Sequence, residues 1–590
     1  MSRPSNRQLA SGLLFAAASL IAAALAVAAM NGAETWMPLG SVRVRPSAPL
    51  GSLSVGTSLG VLAGWLLRHA PGWRLGAWAA MGAHAALGLI AAASSQAQLW
   101  PIGDGAVIEL YTLHATEGRQ LLGPYSRFGF HHPGPVMFYA LAPFYAASGH
   151  QTASLSAGAL AINLASLGII SWVMVRAAAP IPLSLALSAL LLTFVLRVPA
   201  LLTSAWNPHL PVLPLVALLV VGASVASGDV RLVPLMAALA SFLAQSHLGL
   251  AAVSLVVSGG GIIAAAVRSA LVLERRQSLA YWLKRATWVL ALLWAFPIAE
   301  QIVYRPGNLG RIVAFFFFEG EAGRVSTSAA WRAWSYSLMG LGRSDFQLPL
   351  GSYFFPTPRP WLPGAVVLAT LLVSVTAFKC WRLEREFPLA LAGLTMAAAA
   401  VGFWSIGGIR FEIFDHAVFW LSGVGATVVA LAVSAPFLWT RVWAIHAPWC
   451  NVVRIAGGSA LIVGAALVGG SNLARPPAPA GSADGAVRVF VNRIVRAMPE
   501  YDIQKPLLQV DGQAWEVMAG VLLQFAKTGV PVAADRRLVD VFDRPWLPTG
   551  DEDAVVTIAD AAGHERLSAR MGNIAVAEYG GYFVDTVLVR

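Results

Sequence analysis

Apolar runs of about 17–25 residues, the length that spans a bilayer core, recur along most of the chain and are separated by short polar stretches. The first covers about Leu9 to Met30, the second about Leu50 to Leu67 and the third about Leu75 to Ala93. Continued to a last run at about Ile455 to Val468, the pattern predicts about thirteen transmembrane helices. Pro135 to Ala147 is too short to cross and contains Pro143, so it reads as a helix lying at the membrane interface. From about Ser471 the pattern changes. Ala474 to Gly485 is a linker rich in Pro, Ala, Gly and Ser. Short alternations then predict strands over Pro506–Val510, Ala554–Ile558 and Tyr582–Val589, and a helix over Ala514–Ala526 that stops near Gly529. The expected fold is a polytopic α-helical membrane protein with a C-terminal soluble α/β domain. Residues 1–74 hold two N-terminal helices, 75–470 the main membrane domain with a first outer loop at 96–150, 471–485 the linker and 486–590 the α/β domain.

Composition supports this reading. Of the 590 residues 57% are hydrophobic and 12% charged, about half the charge of an ordinary soluble domain. With a mean hydropathy of +0.66, a soluble or disordered chain is excluded. The net charge of +11 would suit nucleic acid, but no basic stripe with interleaved aromatics occurs. The basic residues instead fall between apolar runs: Arg176, Arg231, the cluster Arg268, Arg275, Arg276, Lys284 and Arg285, then Lys379, Arg382 and Arg385, and finally Arg441 and Arg454. That distribution marks cytoplasmic loops. It places the N-terminus inside and the C-terminal domain outside. The run at Leu9 follows Arg3 and Arg7 and resembles a signal peptide, although its length and the lack of a clear cleavage site favour a retained helix. Ala/Arg-rich, Lys-poor usage points to a high-GC bacterium and so to its cytoplasmic (inner) membrane. Cys380 and Cys450 form no disulfide or zinc pattern.

Polar residues at a membrane edge are costly and need a reason. Here they gather on the outer side. The first outer loop supplies Asp104, Glu109, Tyr111, His114, Arg127, His131 and His132; later turns supply Trp206, Asn207, His209, Gln245, His247, Glu300 and Arg410. Arg197 lies within an apolar run and either snorkels to the interface or faces a cavity. Carboxylates, imidazoles and guanidiniums at one boundary suit a general base with cationic stabilisation of an anionic leaving group. Each residue also has a structural reading. Asp104 could cap a helix starting at Gly105, and Asn207-Pro208 could start the next helix as N-cap and N1. Tyr111 and His114 could be interfacial anchors, and Phe315 to Phe318 lipid-facing packing. No H-x-x-x-H spacing occurs, so no tight zinc site is expected.

An early acid in the first outer loop, an interfacial helix and the turn His132-Pro133-Gly134-Pro135 resemble the GT-C superfamily of membrane glycosyltransferases. The protein O-mannosyltransferases and lipid A aminoarabinose transferases are the nearest in pattern. Gly134 stands where those families have a second proline, and Asn207 and His209 stand where they have an outer acid. The resemblance implies a polyprenyl-phosphate sugar donor and an envelope glycan, lipid or protein acceptor, with no nucleic acid partner. It implies Asp104 as the base and His132 beside the donor phosphate. Glu109, Tyr111, His114, Arg127, His131, Arg197, Asn207, His209, His247 and Arg410 would surround the substrates. A divalent cation is the one cofactor it leaves open. The rival readings are a transporter or flippase of envelope glycolipid and a non-catalytic scaffold.

Overall fold

The computed structural model describes residues 37–39, 42–44, 99–270, 272–318, 323–340, 361–439, 448–473, 481–568 and 574–588. The three N-terminal apolar runs and most of the linker lie outside the described residues, apart from a short antiparallel hairpin pairing Met37–Leu39 with Val42–Val44. From the first loop onward the helices are α1 (Gly103–Thr116), α2 (Val136–Ala147), α3 (Ala153–Arg176), α4 (Ile181–Arg197), α5 (Val212–Ala226), α6 (Val233–Ser246), α7 (Ala251–Ser269), α8 (Leu273–Val303), α9 (Asn308–Phe317) and α10 (Thr327–Leu338). They continue with α11 (Trp361–Arg382), α12 (Glu386–Gly407), α13 (Leu421–Leu438) and α14 (Pro448–Leu473).

Among the described residues, seven helices are long and apolar enough to cross a membrane: α3, α7 with the turn before it, α8, α11, α12, α13 and α14. The chain is therefore built as a polytopic helical membrane fold. α4, α5 and α6 are shorter apolar helices of 17, 15 and 14 residues, and at 1.5 Å per residue each covers roughly 21–26 Å. α2 has 12 residues, about 18 Å, which is well short of a bilayer core.

α5 is the hub, with every residue from Val212 to Ala226 buried and α3, α6, α7, α12 and α13 packed around it. A helix that is apolar all round must be enclosed. Close approach comes from small residues: a Cβ on Gly261 would sit 3.2 Å from the Gly222 carbonyl oxygen, the small-residue contact that membrane helices favour. The bundle has two polar ends. At one, Arg176 pairs with Asp229, Arg268 with Glu386, and Arg454 donates to the Ala178 and Ala179 carbonyls. The other end carries the residues of the candidate site.

Several boundaries differ from the sequence reading. Arg275 to Arg285 are not loop but the opening turns of α8, a helix of 31 residues, because good helix formers such as Leu, Arg, Glu and Lys carry it past the apolar segment. Arg454 lies inside α14 rather than before it. The long loop after Glu300 contains two helices, α9 and α10, and Glu300 itself belongs to α8.

Beyond the linker, α15 (Ser482–Glu500) precedes the first strand. Its opening Ser-Ala-Asp-Gly reads as linker, yet Ala486, Val487, Phe490 and Ile494 make a buried face at helical spacing. The sheet then contains β1 (Pro506–Asp511), β2 (Ala533–Ala534), β3 (Ala554–Asp560), β4 (Ile574–Tyr579) and β5 (Tyr582–Leu588) in the order β2-β1-β3-β5-β4. The β2-β1-β3 pairs are parallel and the other two antiparallel. Between β1 and β2 runs α16 (Trp515–Thr528), which ends on Gly529 in the left-handed region at φ 70°. Residues Val517 to Phe525 of α16 are all buried, because this helix packs on α15 and the sheet and also on α1.

Candidate active site

α1 begins at Gly103 with Ile102 in the N-cap position. Asp104 is therefore not the cap of a helix starting at Gly105. It sits inside the first turn, where the helix dipole favours an acid and its carboxyl is free for other partners. Both oxygens are held. The Tyr125 hydroxyl donates to Oδ1, and Trp206 Nε1 donates to Oδ2 at 2.8 Å. The carboxyl is half-buried. Burial, then the nearby Asp104 charge, pushes the Tyr125 phenol up, so it stays a donor. Three separate segments thus fix one carboxyl: α1, the turn after Gly123 and the turn before α5.

The turn around Tyr125 is closed by His132 N donating to the Pro124 carbonyl at 2.7 Å. It leads into His132-Pro133-Gly134-Pro135. Gly134 is required here by contact: a Cβ would lie 2.2 Å from Gln245 Oε1 and 2.5 Å from Pro297 Cγ. A proline or any other side chain would displace α6 or α8, which explains this chain's departure from the double-proline turn.

Imidazoles surround Asp104's partners. His416 lies 4.9 Å, ring to ring, from Trp206 and stacks on Phe414 at 5.2 Å. His209 meets Trp206 edge-on at 4.7 Å and pairs through Nδ1 with Ser204 Oγ at 2.9 Å. His132 stacks on His247 at 5.1 Å. Leu248 N donates to His132 Nδ1 at 3.0 Å, so the neutral ring carries its proton on Nε2. Nδ1 of both His247 and His416 is buried without a partner. Arg127 donates to the Arg410 and Glu412 carbonyls and lies 4.5 Å over the Phe414 ring. These groups bring Asp104, Arg127, His132, His209 and His247 to one end of the bundle.

The remaining predicted residues have other neighbours. Tyr111 donates to the Val541 carbonyl at 2.6 Å and meets His131 Nε2 at 3.0 Å. Since the phenol's proton is committed, His131 Nε2 is the donor to it. Asn308 holds the adjoining backbone: its Oδ1 accepts from His131 N at 2.8 Å, and its Nδ2 donates to the His131 and His132 carbonyls at 3.0 and 3.3 Å. Glu300 Oε2 in turn accepts from Asn308 N at 2.7 Å. A polar crevice of about 20 Å³ borders this network, lined by His131, Glu300, Asn308, Arg311, Asp543 and Arg544, and it has room for about one water.

Glu109 faces away from Asp104's partners, and its fully buried carboxylate pairs at 2.7 Å with Lys527, which is itself partly exposed. His114 stacks on Trp546 at 5.6 Å. Asn207 is not the cap of α5, which starts at Val212 after Pro211; its Nδ2 instead reaches the Ser246 carbonyl at 3.4 Å. Arg410 donates to the Phe315 carbonyl, with its guanidinium 3.8 Å over the Phe315 ring. Phe315 is thus buried packing, while Phe317 and Phe318 are exposed. Arg197 is exposed in the last turn of α4. Among the described residues no group of three His, Cys, Asp or Glu side chains is arranged to hold a metal ion.

Burial sets the protonation of the imidazoles. It pushes His131 and His209 down to about 3 and His247 and His416 to about 4, and His132 falls well below its ordinary value. In the unfolded chain each histidine titrates near about 6.5. The unfolded state therefore binds protons that the folded state refuses, and stability rises with pH over this range. It is complete above about 6.5 and is lost as pH drops toward 4. The expected result is a lower thermal unfolding midpoint at pH 5 than at pH 7.5 for the detergent-solubilised protein. An equal or higher midpoint at pH 5 would contradict neutral burial of these rings.

Sequence reasoning passed over His416, Asn308, Arg311, Arg544 and Lys527, and treated Tyr125 and Trp206 only as loop composition. His416 carried a faint signal, a histidine in the same outer stretch as Arg410. Asn308 and Lys527 carried none.

No family model matches the chain, and no curated protein matches it. Among solved structures it is similar to ArnT from Cupriavidus metallidurans bound to undecaprenyl phosphate, with a TM-score of 0.45 and 15% identity over 86% of this chain and 98% of that one. It is also similar to the same protein in the apo state, with a TM-score of 0.41 and 13% identity over 87% and 98% of the two chains.

Proposed function

We propose that this chain is a glycosyltransferase of the bacterial inner membrane. It moves a sugar from a polyprenyl-phosphate donor to an envelope acceptor on the extracytoplasmic side, where the C-terminal α/β unit also lies. The observation that carries the reading is Asp104: a half-buried carboxyl at one end of an apolar bundle, fixed by Tyr125 and Trp206 from separate segments among buried neutral imidazoles. A carboxyl oriented in this way suits a general base.

In the proposed reaction Asp104 takes the proton of an acceptor hydroxyl. The acceptor oxygen forms a bond to the anomeric carbon as the carbon–oxygen bond to phosphate breaks, and the electron pair leaves with the polyprenyl phosphate. Arg127 is an exposed guanidinium whose charge is felt by His416, beside Trp206, and would pair with phosphate oxygens. His132 and His247 offer a second polar wall.

Mass spectrometry of envelope glycans from cells with and without this protein tests the reading. The expected result is the loss of one sugar substituent, with the matching lipid-linked donor accumulating. An unchanged glycan profile together with unchanged donor pools would sink it.

A further inference from the structure

α1 is enclosed on every side. Ala106 to Ala115 are all buried, and the neighbours that bury them are α2 and α16. The helix carrying Asp104 is therefore shared between the membrane bundle and the C-terminal unit. Contacts from that unit run along its whole length. At the Asp104 end, Trp515 meets Tyr125 edge-on at 6.3 Å, and a Cβ on Gly103 would sit 3.2 Å from Glu516 Cγ. Farther along, the Val541 carbonyl accepts from Tyr111 at 2.6 Å.

Between these contacts lies one charged contact. Lys527 Nζ reaches Glu109 Oε1 at 2.7 Å. The same oxygen accepts from the Tyr145 hydroxyl of α2 at 2.7 Å and from Thr152 Oγ1 at 3.0 Å. Glu109 is 0% exposed and its other oxygen has no partner. One carboxylate oxygen thus joins α1, α2, the start of α3 and α16. Without the ammonium a buried carboxylate is left uncompensated, which a protein relieves by moving or by admitting water. Glu109 is five residues from Asp104, about 7.5 Å along the helix axis, so movement there reaches the Asp104 turn.

We propose that the C-terminal unit sets the position of Asp104, and that Lys527 is the positioning residue through which it does so. The proposal rests on the reading of Asp104 as the base. The unit is then part of the catalytic module, and the linker before α15 does not make it an independent tethered domain.

Two measurements on the full-length protein in nanodiscs test this: hydrogen exchange of peptides covering residues 103–116, and release of polyprenyl phosphate from a polyprenyl-phosphate-linked sugar. In Lys527→Met, exchange in α1 is expected to rise about tenfold or more while α3 and α13 keep their protection. Turnover is expected to fall by at least about tenfold with the KM for the lipid donor unchanged, since a misplaced base slows chemistry without loosening the donor. Lys527→Arg should restore both. Unchanged α1 exchange in Lys527→Met, or a fall in turnover without it, overturns the proposal. If Lys527→Met does not fold, Lys527→Gln keeps a donor to Glu109 without the charge; wild-type exchange and turnover in that variant overturn the proposal, and loosened α1 with reduced turnover supports it. If the wild-type protein cleaves no polyprenyl-phosphate sugar, the glycosyltransferase reading fails, while the exchange arm still decides whether Lys527 holds α1.

Discussion

Asp104→Asn is expected to leave the bundle folded and inserted while lowering sugar transfer by about 100- to 10,000-fold, the range over which a positioned general base acts. The amide has the shape of the carboxyl, so no cavity opens. Its hydrogen bonds can also be kept. Trp206 Nε1 can only donate, so the amide oxygen must face it at the site now held at 2.8 Å. The amide nitrogen then faces Tyr125, whose hydroxyl can turn and accept. Only the ability to take a proton is lost. Trp206→Phe provides the contrast. It removes one donor, whose net worth is about 0.5–1.5 kcal/mol, so transfer should drop several-fold and not by orders of magnitude. The measurements are donor turnover and thermal midpoint on the same purified preparations. Wild-type turnover in Asp104→Asn would remove Asp104 from the mechanism. Equal losses in both variants would assign it a structural role.

The seven long spans among the described residues were legible because each is a local signal: a long apolar run reads as a helix whatever it packs against. The same holds for the strand at Pro506–Asp511 and for the stop at Gly529, where pattern and turn chemistry lie within a few residues. The site was legible only as a list of residues on one side. Its pairings cross long stretches of chain: 102 residues from Asp104 to Trp206, 418 from Glu109 to Lys527 and 430 from Tyr111 to Val541. No periodicity encodes such partners. Glu109 shows the consequence. Five residues from Asp104, it reads as a second acid of the same site, but the helix turns it toward Lys527 and a different set of donors. Asn308 is the extreme case. A polar residue after Gly307 at the start of an apolar helix looks like punctuation, and only tertiary contact reveals it as the residue that binds the His131-His132 backbone.

That contact makes Asn308→Ala the substitution with the largest expected effect on stability. The side chain accepts from His131 N and donates to the carbonyls of His131 and His132, and Asn308, His131 and Glu300 are 5%, 3% and 3% exposed. Alanine leaves one buried N–H and two buried carbonyl oxygens unmatched. At about 1–3 kcal/mol for each unsatisfied group, the sum is about 3–5 kcal/mol if a single water enters and relieves part of it. A midpoint drop of about 2–4 °C follows for a chain of this length. Arg311→Ala, three residues on, is the internal control. Its pair with Asp540 at 3.1 Å has side chains 37% and 44% exposed, and such surface pairs are worth about 0–1 kcal/mol. The two variants should therefore separate clearly in thermal melts of the solubilised protein. Transfer should fall in Asn308→Ala as well, because the peptide it releases carries His132 against His247. A melting midpoint for Asn308→Ala within a degree of wild type would mean that the turn holds itself, and that the His131-His132 backbone needs no clamp.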